Sequence, residues 1–221
     1  MEKEITSKTQ IKEQGILPLF YHDSIEVCIA VTNALYQAGI RSIEFTNRGA
    51  NAFENFKLLV QQRDKQWQGL LLAVGTIKSV KDVNKFFKAG ADFLISPVFD
   101  SEIFAAAKQC KVLWIPGCTT PTEIYAAEKA GCTMIKLFPG NLLMPSFVEA
   151  IKPLFPQIDF LVTGGVDITE DNLKAWFKSG VVAVGMGSKL ITNEVLKNEL
   201  YTDLKITTEQ VLSIVNKIKV D

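Results

Sequence analysis

Histidine is almost absent from this sequence of 221 residues, in which His22 is the one example. The four cysteines, Cys28, Cys110, Cys118 and Cys132, form no CxxC pair. Zinc sites in proteins are built mainly from clustered histidine and cysteine ligands, so this pattern argues against one, and we expect no metal. Irregularly spaced cysteines of this kind are typical of reduced thiols in a cytoplasmic protein.

Long apolar runs and an excess of one charge are missing as well. No segment approaches the roughly 20 apolar residues of a membrane-spanning helix, and residues 1–13 are polar, without the hydrophobic stretch of a secretion signal. Lys and Arg together number 24, and so do Asp and Glu. A balanced charge removes the general electrostatic attraction to nucleic acid. We therefore expect neither a membrane nor a nucleic-acid partner, and a cytoplasmic location.

Short apolar segments alternate with amphipathic ones along the whole chain. The apolar segments predict eight strands: Ile16–Tyr21, Ser42–Thr46, Leu70–Thr76, Phe93–Val98, Val112–Cys118, Met134–Pro139, Asp159–Gly165 and Val182–Gly187. The stretches with helical periodicity are Ser24–Ala38, Ala52–Gln66, Val80–Ala89, Ser101–Cys110, Thr122–Ala130, Phe147–Phe155, Thr169–Ser179 and Thr207–Lys219. This alternation predicts one α/β domain over residues 1–221, a (β/α)₈ TIM barrel whose polar N-terminal segment forms an extra helix over the barrel bottom.

The alternative architecture is an open, doubly wound parallel sheet. That fold normally carries a glycine-rich fingerprint after its first strand. Here the segment Tyr21-His22-Asp23, where the first predicted strand ends, contains no glycine. The closed barrel is therefore the favoured interpretation.

Helix-end signals agree with the predicted boundaries. Asp23 followed by Glu26 suggests a capping box, and Ser79 with Asp82 suggests a weaker one. Four glycines follow predicted helices, at positions where a residue that tolerates positive φ is needed: Gly39, Gly90, Gly131 and Gly180.

Two charged residues fall at inward positions of predicted strands. If Ile135 and Leu137 pack under the helices, Lys136 points into the barrel near its C-terminal mouth. Lost hydration there lowers the pKa of a lysine, and the neutral amine is the form that attacks a carbonyl to give a Schiff base. Glu44 points inward by the same alternation. The two residues are a candidate nucleophile and acid/base pair, and a purely structural ion pair is the alternative.

Further polar residues lie at the ends of neighbouring strands. Arg48 and Thr76 follow the second and third strands, where a guanidinium and a hydroxyl suit a substrate carboxylate. The seventh and eighth strands end in Thr163-Gly164-Gly165 and Gly185-Met186-Gly187-Ser188. Such loops bind phosphate in many barrels through backbone N–H groups. The alternatives are a solvated surface arginine and glycines that only form tight turns.

Together these motifs resemble a known family, the KDPG/KHG aldolases, which act on 2-dehydro-3-deoxy-6-phosphogluconate and 4-hydroxy-2-oxoglutarate. The resemblance extends in order and spacing from about Ile16 to Ile191. It is carried by the segments Ile43-Glu44-Phe45-Thr46-Asn47-Arg48, Ala73-Val74-Gly75-Thr76, Ile95-Ser96-Pro97, Pro116-Gly117-Cys118-Thr119-Thr120, Ile135-Lys136-Leu137-Phe138-Pro139, Thr163-Gly164-Gly165 and Gly187-Ser188.

The resemblance implies a homotrimeric class I aldolase without metal or other cofactor, acting on a small 2-keto acid and releasing pyruvate. Lys136 matches the Schiff-base lysine and Glu44 the acid/base glutamate. Three positions match the carboxylate contacts: Arg48, Thr76 and the backbone at Pro97. The phosphate site corresponds to Gly164, Gly165, Gly187 and Ser188, and the same pocket is expected to include Phe138 and Thr163.

Three positions depart from the family pattern, namely Val98, Cys118 and Gly140. We expect them to line or flank the mouth, where they bear on which sugar acid is used. The implied reaction cleaves 2-keto-3-deoxy-6-phosphogluconate to pyruvate and glyceraldehyde 3-phosphate, with 4-hydroxy-2-oxoglutarate, cleaved to pyruvate and glyoxylate, as a second substrate. Alternatives are an aldolase for the galactonate epimer, a phosphate-binding epimerase or isomerase without imine chemistry, and a catalytically silent barrel that acts as a sugar-phosphate sensor or assembly subunit.

Overall fold

A computed structural model describes residues 2–220, with side chains from residue 4 onward. Within these residues the helices are α1 (Glu2–Gln14), α2 (Ile25–Gln37), α3 (Ala52–Gln66), α4 (Val80–Lys88), α5 (Ser101–Gln109), α6 (Pro121–Ala130), α7 (Gly140–Ile151), α8 (Glu170–Lys178), α9 (Asn193–Lys197) and α10 (Tyr201–Val220). The strands are β1 (Ile16–Phe20), β2 (Ser42–Thr46), β3 (Leu71–Gly75), β4 (Phe93–Ile95), β5 (Leu113–Ile115), β6 (Gly117–Cys118), β7 (Met134–Leu137), β8 (Asp159–Thr163) and β9 (Ala183–Met186).

The strands form one parallel sheet that closes on itself. Its order is β5-β4-β3-β2-β1-β9-β8-β7-β6. The two ends of this order, β5 and β6, are halves of one chain segment, separated only by Pro116, which has no N–H to donate. The first half pairs with β4 and the second with β7. The predicted (β/α)₈ barrel is confirmed, with its fifth strand divided in two.

Strand side chains alternate between two apolar layers. The inner layer fills the barrel and consists of Ile11, Leu17, Ala73, Phe93, Ile95, Leu113, Ile115, Met134, Leu161 and Ala183. The outer layer lies between strands and helices, and it includes Ile43, Phe45, Ile135 and Leu137. Removing a large inner side chain, as in Phe93→Ala, would cost about 3–5 kcal/mol. This packing fixes which face of each strand is available for chemistry.

Helix α1 covers the N-terminal ends of the strands, as predicted. Its Ile11 is fully buried in the inner layer. The Gln14 side chain accepts a hydrogen bond from the Ser42 N–H at 2.9 Å and donates one to the Ser42 carbonyl at 2.9 Å. The Lys12 ammonium binds the Asp159 carboxylate at 2.9 Å. The bottom of the barrel is therefore occupied by protein, and the opposite, C-terminal end is left for a site.

The first helix cap differs from the prediction. The cap of α2 is Ser24, not Asp23, because the Ser24 hydroxyl accepts the Val27 N–H at 3.2 Å. The Ser24 hydroxyl also contacts Glu26 at 2.7 Å. The cap predicted at Ser79 is confirmed. Asp23 and Ser24 are both residue types that cap helices, and here it is the Ser24 side chain that accepts a helix N–H.

The bounds of two other helices also differ from the predicted ones. Helix α7 begins at Gly140 rather than Phe147, ends at Ile151 rather than Phe155, and is interrupted at Met144, whose backbone lies at φ 62° and ψ 161°. The following proline disfavours the helical conformation at that residue. Helix α10 begins at Tyr201, six residues before the predicted start, and the short helix α9 was not predicted. The glycine ends are confirmed, since Gly39, Gly90, Gly131 and Gly180 all have positive φ.

Among residues 2–220, no helix combines the length and the apolar character that crossing a membrane requires.

Candidate active site

Lys136 lies inside the barrel. On β7 it pairs with Gly117 of β6 on one side and with Leu161 of β8 on the other. Its neighbours in sequence, Ile135 and Leu137, belong to the outer apolar layer, so the lysine faces the interior. Its side chain is only 4% exposed. The strand alternation thus places an amine near the C-terminal ends of the strands.

The surroundings of Lys136 favour its neutral form. Burial lowers the pKa of the ammonium, the negative charge of Glu44 opposes this, and the positive charge of Arg48 adds to it. Burial is the largest of these influences, and the net result is a pKa below the ordinary value of a lysine. A larger fraction of the amine is therefore available as a nucleophile at neutral pH.

Glu44 faces the same interior from β2. It pairs with Leu19 on β1 and with Ala73 on β3, and its side chain is 1% exposed. Its Oε2 accepts no hydrogen bond from any residue that the structure describes. Since an unpaired buried carboxylate oxygen is costly, its retention fits a group that receives a proton or hydrogen bond from a ligand.

The carboxylate of Glu44 packs against Gly75. A Cβ atom built on Gly75 would lie 1.7 Å from Oε1 of Glu44, so the carboxylate occupies space that only glycine leaves open. Gly75 is the last residue of β3. The carboxylate therefore lies at the C-terminal end of the barrel.

Arg48 and Thr76 lie together at the mouth. The Arg48 Nε donates to the Thr76 hydroxyl at 3.3 Å. The Arg48 side chain is exposed, and its charge reaches Lys136 electrostatically. The Thr76 backbone has a φ of 63°, a conformation that costs a non-glycine residue on the order of 1–3 kcal/mol and is found frequently at functional sites.

Pro97 borders the lysine strand through its backbone. A Cβ atom on Gly117, the partner of Lys136 on β6, would lie 2.4 Å from the Pro97 carbonyl oxygen. The Pro97 backbone is therefore adjacent to the position that Lys136 occupies. The structure thus brings together Lys136, Glu44, Arg48, Thr76 and Pro97 at one end of the barrel.

A cavity of about 440 Å³ opens at this end. Seven residues predicted for the site line it: Arg48, Phe138, Thr163, Gly164, Gly165, Gly187 and Ser188. Four residues predicted for the site do not line it, namely Lys136, Glu44, Thr76 and Pro97. Lys136 is adjacent to the lining, since its Nζ lies 5.1 Å from the centroid of the Phe138 ring.

The glycine loop after β8 packs tightly on α7. Gly164 and Gly165 have φ values of 98° and 72°, which other residues rarely adopt. A Cβ on Gly165 would lie 2.4 Å from the Cβ of Asn141, and a Cβ on Gly140 would lie 2.6 Å from the Gly164 carbonyl. Gly140, one of the three departures from the family pattern, therefore permits the close contact between this loop and α7.

The loop after β9 forms the other side of this region. The Gly187 carbonyl accepts hydrogen bonds from the N–H groups of Leu190 and Ile191 at 3.0 and 2.9 Å. This tight turn places exposed Ser188 beside the cavity. The four residues predicted for a phosphate are thus on two facing loops.

The other two departures from the family pattern, Val98 and Cys118, differ in exposure. Val98 is exposed beside Pro97, at the mouth. The expectation that Cys118 lines or flanks the mouth was wrong. Its side chain belongs to the outer apolar layer, where burial raises the pKa of the thiol to about 12. Gly117 occupies the inward position of β6, so strand alternation directs the next side chain outward.

Several residues of the cavity were not predicted for the site. They include Leu19, Tyr21, Lys189, Asn193 and Leu196. Gly185, from the glycine segment noted at the end of the eighth predicted strand, is an inward position of β9 and also lines the cavity. A Cβ there would lie 2.3 Å from the Thr163 hydroxyl, an oxygen that has no hydrogen-bond partner among residues 4–220.

Tyr21 was predicted as the last residue of the first strand, whereas β1 ends at Phe20 and Tyr21 begins the following loop. Its ring packs against the Cα of Gly49, where a Cβ would lie 2.0 Å from the phenol oxygen. This oxygen donates a hydrogen bond to Asp23. The contact joins the loop after β1 to the loop that carries Arg48.

Within the described part of the chain, no three His, Cys, Asp or Glu residues are grouped so that they could hold a metal ion.

Comparison with known proteins gives a consistent result. The model of the KDPG and KHG aldolase family matches residues 7–207. The 2-dehydro-3-deoxy-6-phosphogalactonate aldolase of Escherichia coli is 28% identical over 163 residues, which cover 73% of this chain and 77% of that protein. The 2-dehydro-3-deoxy-phosphogluconate aldolase of Treponema pallidum is 26% identical over 212 residues, which cover 96% of this chain and 98% of that protein.

Solved structures agree with these relatives. The crystal structure of a KDPG aldolase from Legionella pneumophila, with pyruvate captured at low pH as a covalent carbinolamine intermediate, superposes with a TM-score of 0.84 and 25% identity. The match covers 91% of this chain and 96% of that one. Because the family model spans most of the sequence and the fold agrees, the chain belongs to the KDPG and KHG aldolase family and is an aldolase.

Proposed function

We propose that this aldolase is a class I enzyme that cleaves 2-keto-3-deoxy-6-phosphogluconate to pyruvate and glyceraldehyde 3-phosphate through a Schiff base on Lys136. One observation carries the proposal: inside the same barrel lie a buried lysine with a lowered pKa and a buried glutamate, one oxygen of which has no hydrogen-bond partner among residues 4–220. The covalent pyruvate carbinolamine described for the Legionella pneumophila relative supports the same chemistry here.

The reaction begins with the neutral amine of Lys136. Its lone pair attacks C2 of the keto acid to give a carbinolamine, which takes up a proton from solvent and loses water to form a protonated imine. Hydrolysis at the end of the cycle releases this proton and restores the neutral amine. Glu44, through a water molecule, takes the proton of the C4 hydroxyl. The electrons of the C3–C4 bond then move into the imine, which releases the aldehyde and leaves an enamine.

Glu44 also completes the cycle. It returns its proton to C3 of the enamine, and water hydrolyses the resulting imine to free pyruvate and Lys136. One carboxylate serves both steps because it gains the proton in the first and loses it in the second. The imine supplies the electron sink, so the sequence of steps requires no metal.

The substrate carries an anionic group at each end, and we assign each to its own group of residues. Arg48, Thr76 and the Pro97 backbone are assigned to the carboxylate, since Arg48 acts electrostatically on Lys136 and donates to Thr76, and the Pro97 carbonyl lies against Gly117, the strand partner of Lys136. The glycine loops, with Ser188, are assigned to the phosphate, because glycine allows close approach to backbone N–H groups. Phe138 and Thr163 line the same cavity as these loops.

A second candidate substrate is the galactonate epimer. The Escherichia coli relative is named for that substrate, and its identity to this chain is similar to that of the phosphogluconate aldolase from Treponema pallidum. The unphosphorylated 4-hydroxy-2-oxoglutarate is a third, which would yield pyruvate and glyoxylate. All three substrates have the same reacting centre and differ at C4 or in the phosphate.

Steady-state kinetics on the three substrates, with pyruvate measured as product, test the proposal. We expect the highest kcat/KM for the phosphogluconate compound. A higher value for the galactonate epimer would replace the proposed substrate and leave the Schiff-base chemistry intact. An equal value for 4-hydroxy-2-oxoglutarate would contradict the phosphate assignment.

We further propose that the chain assembles as a homotrimer, the state that the family resemblance implies. Light scattering on the purified protein should give the mass of three chains, and the mass of one or two chains would contradict this.

A further inference from the structure

We infer that Lys189 is a further binding residue for the distal anionic group of the substrate, a phosphate dianion. This inference rests on the proposed function, because it concerns the phosphate end of the same cavity. Lys189 directly follows Ser188, lines the cavity, and lies in the tight turn after β9. It therefore extends the predicted phosphate site by one residue.

The charge of the cavity lining supports this assignment. Among the described residues that line the cavity, the cations are Arg48 and Lys189, and no carboxylate is present. Arg48 is hydrogen-bonded to Thr76 at the end assigned to the substrate carboxylate. Lys189 directly follows Ser188 and is thus the cation that belongs to the glycine loop after β9. A phosphate monoester is largely a dianion at neutral pH, so a positive charge there adds substantially to neutral backbone donors.

Lys189 forms an ion pair with a neighbouring acid. Its Nζ lies 3.2 Å from a carboxylate oxygen of Asp167. The Asp167 carboxylate also accepts a hydrogen bond from the Thr169 N–H at 3.3 Å. The backbone N–H of Asp167 donates to the side-chain oxygen of Asn172 at 2.8 Å. The hydrogen bond from Lys189 lowers the pKa of Asp167, which keeps the carboxylate ionised. An ammonium has three donors, so one contact with Asp167 leaves others for a ligand.

The competing explanation is an ordinary surface ion pair between Lys189 and Asp167. The Lys189 side chain is 61% exposed, and exposed pairs of this kind contribute little to stability. Under that explanation, removing either partner has the same small effect on every substrate. Under the phosphate assignment, removing the lysine weakens phosphate binding, whereas removing the aspartate strengthens it, because a negative charge near the dianion is lost.

The test compares Lys189→Met and Asp167→Asn with a control, Lys205→Met. Lys205 forms a similar exposed pair with Glu209 on α10, at 3.5 Å, and does not line the cavity. We expect Lys189→Met to raise KM for the phosphorylated substrate about three- to tenfold, the range for one exposed charge-assisted contact. The same variant should weaken competitive inhibition by inorganic phosphate and leave KM for 4-hydroxy-2-oxoglutarate unchanged. Asp167→Asn should lower KM for the phosphorylated substrate. Lys205→Met should leave KM unchanged for both substrates.

An unchanged KM for the phosphorylated substrate in Lys189→Met, or an equal rise for both substrates, would overturn the inference. Ser188→Asp separates this failure from failure of the proposed function. It places a negative charge among the glycine loops and should selectively damage use of the phosphorylated substrate. Selective damage in Ser188→Asp but not in Lys189→Met would reject Lys189 alone. If Ser188→Asp is not selective and inorganic phosphate does not inhibit, both the phosphate site and the inference are wrong.

Discussion

The carboxylate of Glu44 rests on the Cα of Gly75, where a Cβ atom would lie 1.7 Å from Oε1. We therefore predict that Gly75→Ala displaces the carboxylate and lowers kcat by at least about 10²-fold, within the range for loss of a positioned acid/base. The measurement is kcat beside a thermal unfolding curve, so that lost activity is separated from lost fold.

Glu44→Gln provides the matched comparison. If Gly75 acts through Glu44, the double variant should be no slower than Glu44→Gln alone, because the two changes remove the same interaction. Additive losses would show that Gly75 supports activity by another route.

The lowered pKa of Lys136 gives a prediction for pH dependence. Imine formation needs the neutral amine, so its rate rises with pH until Lys136 has lost its proton. Arg48→Met removes a positive charge that lowers the pKa of Lys136, and the midpoint should move to higher pH. Glu44→Gln removes a negative charge that raises this pKa, and the midpoint should move to lower pH.

Single-turnover trapping of saturating pyruvate with cyanoborohydride, followed across neutral and alkaline pH, measures this midpoint. Arg48→Lys is the control, because it keeps the charge and should leave the midpoint near that of the unaltered protein. Shifts of the opposite sign would show that the charges around Lys136 are misassigned.

Thr163 has a buried hydroxyl without a hydrogen-bond partner among residues 4–220. Thr163→Val should therefore leave the free energy of unfolding unchanged or raise it by up to about 1 kcal/mol, because an unsatisfied polar atom is removed. We expect it nevertheless to lower kcat/KM, since Thr163 is one of the residues that line the cavity proposed for the substrate.

Thr32 on α2 is a suitable control, because its hydroxyl is also buried and unpartnered but lies in the outer core. Thr32→Val should affect stability in the same direction and leave kcat/KM unchanged. Equal activity losses in the two variants would indicate a general packing effect rather than contact with substrate.

Strand alternation was sufficient to place the central pair of this site. Lys136 and Glu44 each lie between two apolar residues that pack outward, and this local pattern determines the face of the strand. The glycines that end helices were predictable for a similar reason, since positive φ is a local requirement. The fold class followed from the regular alternation of these elements.

Contacts made by closing the barrel could not be predicted in the same way. Gly185 is the strand partner of Leu17 because β9 pairs with β1, and these two strands lie near opposite ends of the sequence. Helix α9 has five residues, too few for a periodic pattern. The error at Cys118 arose from its position at a strand end, where nearness to the mouth in sequence was taken as exposure to it.

The central claim is the covalent role of Lys136, and reductive trapping tests it most directly. Incubation with pyruvate and sodium borohydride, followed by peptide mass mapping, should find a reduced pyruvyl group on Lys136. Lys136→Met should remove the adduct, while Lys205→Met should retain it. No adduct, or an adduct confined to another lysine, would contradict the Schiff-base mechanism.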